Sequence, residues 1–447
     1  MDPVPPKRCI NSATSPQIKD ARSRSSSVKT ESVVSSPSSD STLTTPVHLS
    51  SAAPELCPHV SLLPDLSRLE MYLLDATLHK QMQVDKYIIG PSFRDQHLQS
   101  FVDHLDTGLP HLKDAFIACA TVLVGDEHLQ KLAVGQHIGF KRAAAAVASL
   151  RSSTVTIHRD HDLTVILILG VAMITFAFHN AAAAPEPLCR YVLGLVKTSC
   201  RDRQSLKRRL GDNGIAFLIC LLGTETESCL INCQVPTLQI RNYEIGQCVD
   251  RFIGISLPMF AYFYDICALA HGIREAKVHG RWRLSPEAQS RIQELELSIE
   301  KWQLDVPTDF LAGRYAPAEV MLMLAQSRIL RLAALLILHR LQHTYGTQDG
   351  KAVIMAKTIL SELGTVLCLA GRSVPFSDLP HLAACFEITS PADRIDQLAR
   401  SDSIVDFSPH VLAEHKEWLV SFWTARDNCD GRDGIYWDDV QTHIRAS

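Results

Sequence analysis

The chain has 447 residues, 46% of them hydrophobic and 21% charged, with a formal net charge of −4. That length allows about two or three ordinary domains or one large helical one, with apolar material for a sizeable core. The acidic balance argues against a chain that grips nucleic acid through an overall positive field, and residues 1–30 contain no apolar run of the secretory kind.

Residues 1–57 read as a disordered leader. Met1–Glu55 contain 14 Ser, 5 Thr and 7 Pro and no aromatic residue, the first being Tyr72. Such a segment buries too little apolar surface to offset the entropy of ordering it. Six basic side chains (Lys7, Arg8, Lys19, Arg22, Arg24, Lys29) stand against five acidic ones (Asp2, Asp20, Glu31, Asp40, Glu55), so the leader is not a polybasic arm. Ser15-Pro16 and Ser36-Pro37 are steps open to phosphorylation.

Residues 58–447 read as one all-α domain. Leu73, Leu74, Leu78 and Met82 place a helix over Glu70–Gln83. A second is predicted from His111, behind a Pro110 start, to Gly125. Gly139–Arg151 is Ala-rich. Leu163–Phe178 is sixteen residues without a charge, shorter than the roughly 20 apolar residues of a membrane span, and is predicted as a buried core helix. Ser285-Pro286 is an N-cap and first helical position, after which Ile292, Leu295, Ile299 and Trp302 share one face. Pro317–Tyr345 is apolar on nearly all sides and ends at Gly346; Lys351–Ala370 ends the same way at Gly371. Ser408-Pro409 repeats the capped start, with Val411, His415, Trp418, Leu419 and Phe422 at helical spacing. No alternating run suggests a sheet, and no repeat has a fixed period.

Thirteen cysteines, an odd number and none spaced C-x-x-C, sit mostly in apolar runs, as Cys119 and Cys267 do. They read as reduced, buried thiols rather than a disulfide framework.

The motifs of nucleophilic, phosphate-binding and zinc-protease chemistry (G-x-S-x-G, G-x-x-x-x-G-K-[ST], H-E-x-x-H, G-x-G-x-x-G) do not occur. Four weaker groupings remain. His158, Asp160, His161 and Asp162 are metal-binding types, but adjacent residues face different ways, and Asp162 fits a cap or first-turn anion. Cys229 and Cys233 share a helical face, yet two thiolates do not complete a zinc shell. Arg201, Arg203, Lys207, Arg208 and Arg209 suit a solvated helix face better than a phosphate or import site. The Asp427–Asp439 stretch lacks the calcium-loop register and its closing Glu, and reads as turns at Asp430-Gly431 and Asp433-Gly434. No catalytic, metal or DNA-binding residue is assigned, no cofactor is implied, and ligand-binding residues stay unknown.

Taken in order, several stretches resemble the fungal-specific transcription factor domain, the regulatory region behind the binuclear zinc cluster of many fungal regulators. They are Pro110–Val124, Gly139–Ala143 with its Ala-rich helix, Leu163–Phe178, Phe252–Pro258 leading into Phe260–His271, and the closing pair Trp423–Asp427 and Tyr436–Val440. The resemblance covers about Leu66 to Ile444. It implies an all-α domain acting in the nucleus on transcription, with other regulators as partners and homo- or heterodimers as assemblies. Within this sequence only Cys9 and Cys57 precede the helices, too few for a six-thiolate cluster. Direct DNA contact is therefore expected only if a zinc cluster lies ahead of Met1.

The leading reading is a non-enzymatic transcription regulator, controlling a metabolic or secondary-metabolite gene set by family habit, that binds partner regulators and has room for a small apolar ligand but no membrane role. A buried methylene contributes about 0.8 kcal/mol, so such a ligand needs few polar contacts. The alternative is an all-helical lipid-handling protein or enzyme with an unrecognised site.

Overall fold

The structure, a computed structural model, describes residues 66–79, 85–124, 133–153, 160–180, 184–199, 206–240, 249–279, 284–304, 306, 308–429 and 434–445. The expected leader lies outside these. The described residues form fifteen α-helices and no strand, the nearest approach to one being an isolated bridge between Asp250 and Gly254.

The first group comprises α1 (Arg68–His79), α2 (Arg94–Leu123), α3 (Ala133–Ser153), α4 (Asp160–Phe178), α5 (Pro185–Ser199) and α6 (Leu206–Asn232). α4 packs on α2, α3, α5 and α6 at once, which is why it carries no charge from Leu163 to Phe178 and has no polar face. The sequence expectation of a buried core helix holds there: of its side chains from Leu163 on, all but Thr175 and Phe178 are buried. α6 breaks at Gly211, whose φ of 61° and ψ of −177° suit glycine.

The helix expected to begin at His111 begins seventeen residues earlier, at Arg94, and Pro110 lies inside it. Leu98 and Phe101 continue its packed face toward the N-terminus, and Phe101 meets Phe116 and Phe217 edge-on or tilted. Tertiary packing outweighed the proline as a boundary signal.

The second group comprises α7 (Leu257–Val278), α8 (Pro286–Lys301), α9 (Thr308–Leu311), α10 (Pro317–Gln342), α11 (Asp349–Ala370), α12 (Asp378–Cys385), α13 (Pro391–Ile404), α14 (Pro409–Asp427) and α15 (Val440–Arg445). α10 is central and touches α7, α8, α11 and α12. Ser285, Ser390 and Ser408 each accept a backbone N–H three residues on, each cap contributing about 1 kcal/mol. Gly371 ends α11 in the left-handed region, its N–H donating to Leu367 O at 2.8 Å.

Three helices (α6, α10 and α11) have the length and apolarity of membrane spans, but 78% and 67% of the apolar windows of α6 and α10 are buried inside the fold. α11 is one-sided: Ala352, Ala356, Ile359 and Leu363 face the core, while Ile354 and Leu369 face out.

Two tryptophans tie the C-terminal segment down. Trp423 Nε1 donates to Cys385 O and Trp437 Nε1 to Leu230 O, both at 2.8 Å and both buried. The second bond fixes the segment before α15 on α6, over 200 residues away in sequence.

Candidate functional site

A cleft of about 350 Å³ opens where the end of α4, the start of α5 and the C-terminal half of α6 meet the N-termini of α12 and α14. Six aromatic side chains line it: Tyr87, Phe178, Phe252, Phe376, Phe407 and Trp418. Two of them sit on loops that α10 holds. The buried Gln326 donates through Nε2 to Phe252 O at 2.9 Å and to Pro375 O at 2.8 Å, so one amide sets both loops. On the first loop, Asp250 Oδ1 also accepts from Phe252 N (2.7 Å) and Ile253 N (3.0 Å), and Gly254 turns the chain at φ 54°. Burial pushes the Asp250 carboxyl up to about 6.

Phe376 adopts φ 59°, a left-handed conformation that costs a bulky residue of order 1–3 kcal/mol. Its ring lies against Gly223 of α6, where any Cβ would overlap it, and meets Phe260 edge-on.

Two carboxyl groups share the cleft. Glu227 comes from α6 and Asp378 from the first turn of α12, and they are hydrogen-bonded to each other. Burial, and then the Asp378 charge, hold Glu227 well above the ordinary carboxyl range. Burial also raises Asp378, against its own and Leu379's backbone N–H groups, which favour the anion. Glu227 Oε1 is buried with no hydrogen-bond partner among the described residues.

Behind the wall at His415 runs a buried polar chain. His381 Nδ1 and His415 Nε2 are 2.9 Å apart, and His381 Nε2 lies 3.3 Å from Cys385 Sγ. Burial lowers His381 to about 4 and His415 well below its usual value, so both imidazoles are neutral.

None of the described members of the four groupings singled out by sequence is among the residues that line this cleft. His158, Arg201, Arg203 and Asp430–Asp433 lie outside the described residues. Asp160, His161 and Asp162 open α4. Cys229 is buried and accepts from Arg190 Nη2 at 3.3 Å, its thiol pushed by burial up to about 12. Cys233 is buried just past the end of α6, in a left-handed turn. Lys207 and Arg208 are exposed, and Arg209 caps α5 by donating to Ser199 O at 2.8 Å. No group of three or more His, Cys, Asp or Glu side chains among the described residues is placed to hold a metal ion. The sequence signal that was passed over is the charge inside α6: Glu225 and Glu227 interrupt an otherwise apolar run, IAFLICLLGTETESCLIN. Glu225 is satisfied by Thr237 N and Oγ1. Glu227 faces the cleft.

Helix packed on helix around an aromatic cleft with two adjoining carboxyls makes this an all-helical domain. Residues 153–445 match the fungal-specific transcription factor domain, so the chain belongs to that family and is a transcription regulator. The match takes in α4 to α15 and the whole Trp423 and Trp437 region; Pro110–Val124 and Gly139–Ala143 lie ahead of it. No curated protein and no solved structure matches the chain.

Proposed function

We propose that this protein is a nuclear regulator that controls a metabolic gene set by binding a small molecule in the cleft between α6, α12 and α14 and passing the bound state to partner regulators. The observation that carries this reading is the cleft itself. A volume of about 350 Å³ lies in the range of small-molecule sites, and its mixture of aromatic walls with a few convergent polar groups is the composition such sites use. It joins loops and helices from both helix groups, so an occupant that prefers one arrangement of α12 and α14 over another shifts the population of states. Homo- or heterodimers with other regulators, direct DNA contact only through a zinc cluster outside residues 1–447, and no membrane role complete the reading.

The test is a reporter gene with the full chain tethered at its promoter through a heterologous DNA-binding module, together with fluorescence localisation. Reporter output that changes with an added metabolite, and loses that response in Phe376→Ala, supports the reading. Cytoplasmic protein, or output indifferent to every compound that shifts the melting of the purified chain, contradicts it. The enzyme alternative has one observation behind it, because two adjoining carboxyls in a cleft can serve as acid and base. Chemical change of a bound compound on incubation with the purified chain would favour it.

A further inference from the structure

Resting on the cleft as a ligand site, we propose that its occupant is an organic cation: a protonated amine on an apolar body, seated with the ammonium at Glu227 and Asp378 and the body among the aromatic rings.

The charges lining the cleft are unbalanced. Glu186, Glu227, Asp378 and Glu414 bring four carboxyl groups, and Lys86 is the one ammonium among the lining residues. Most of these have other business. Glu186 accepts from Arg190, Ser228 and Asn232. Lys86 Nζ donates to Asp406 O at 3.0 Å, and Glu414 has its own interaction at the exposed start of α14. Glu227 and Asp378 remain, adjoining each other among the lining residues, and Glu227 Oε1 is buried with no hydrogen-bond partner among the described residues. That oxygen is an acceptor beside a second carboxyl, and a cleft with more carboxyl groups than ammonium groups favours a donor with positive charge.

The walls select the same chemistry. Aromatic faces attract cations through their negative quadrupoles, and six aromatic side chains border this space. A carboxylate ligand would meet a like charge, and a neutral hydrocarbon would leave Oε1 unmatched at a buried position. An ammonium of three donors satisfies Oε1 and the Asp378 carboxylate together while its apolar body covers the rings.

The experiment is isothermal titration of the full chain at pH 7 with 4-phenylbutylamine, 4-phenylbutanol and 4-phenylbutyrate, three probes of one shape and three charges. The amine is expected to bind at least about 10-fold more tightly than the alcohol, and the carboxylate weakest. In Glu227→Gln/Asp378→Asn, of nearly unchanged shape, the amine should fall to the alcohol's affinity while the alcohol is little changed. The single Glu227→Gln variant, with a melting curve for each protein, serves if the double variant does not fold. Equal binding of amine and alcohol, or an amine preference that survives both variants, overturns the cation and leaves the cleft as a ligand site. Binding of none of the three overturns both.

Discussion

Gly223 and Phe376 occupy each other's space: a methyl group on Gly223 would overlap Cε1 and Cζ of the Phe376 ring. The ring reaches that position only because Phe376 holds a positive φ, and the two features together form one wall of the cleft. Replacing Gly223 by Ala should therefore destabilise the protein by about 1–3 kcal/mol, the usual result of overpacking. In a Phe376→Ala background the same change should cost much less. Denaturant midpoints of the four proteins check this, and additive losses would show that the two residues do not compete for one space.

A second expectation concerns Arg340, which is fully buried on α10. It donates to Glu387 through Nε (2.7 Å) and Nη2 (2.5 Å), to Thr344 O and Thr347 O, and to Asp349. Its charge is matched from all sides, and the cation lies 4.8 Å from the Tyr345 ring. Arg340→Met strands the Glu387 carboxyl and should cost about 3–5 kcal/mol. Arg340→Met/Glu387→Leu should recover a large part of that loss. Urea unfolding of both variants measures the difference.

The buried His381–His415 pair makes stability depend on pH in a definite direction. Burial lowers His381 from its ordinary 6.5 to about 4, so the unfolded chain takes up a proton that the folded chain resists. The stability from keeping it neutral is present above pH 6.5 and is lost as pH falls toward about 4. Asp250, raised to about 6, works the opposite way and gains as pH falls, so the wild-type curve mixes the two. The stability gap between wild type and His381→Gln isolates the histidine: it should narrow from pH 6.5 to pH 4. A gap constant over that interval would remove His381 from the acid response.

Thiol reactivity should sort the cysteines by position. Cys368 is exposed on α11, whereas Cys189, Cys229, Cys233, Cys267 and Cys385 are buried. Burial pushes the thiols of Cys189, Cys229, Cys267 and Cys385 upward, away from the reactive thiolate. Labelling of the native chain with a maleimide, read by peptide mass, should find Cys368 modified early and those five only after unfolding.

Much of the helical order was readable along the chain because its signals are local. Ser285-Pro286 and Ser408-Pro409 cap helices as their types require, and Gly371 stops α11 where a left-handed residue is needed. The uncharged Leu163–Phe178 run could only be stable inside other helices, and α4 is surrounded by four of them. Pro110 misled because its local preference is weak beside the packing of Leu98 and Phe101, about two and a half to three turns further back.

The cleft was not readable in this way. Tyr87, Glu227, Phe376, Asp378 and Trp418 are spread over more than 300 residues, and each is an ordinary residue in its own segment. The sequence by itself determined the helices, their caps and the apolar faces, since periodicity and capping act within a turn or two of the chain. The tertiary structure alone decided that Glu227 meets Asp378 and that Gly223 leaves room for Phe376, because those facts depend on distances between helices and on the water that their packing excludes.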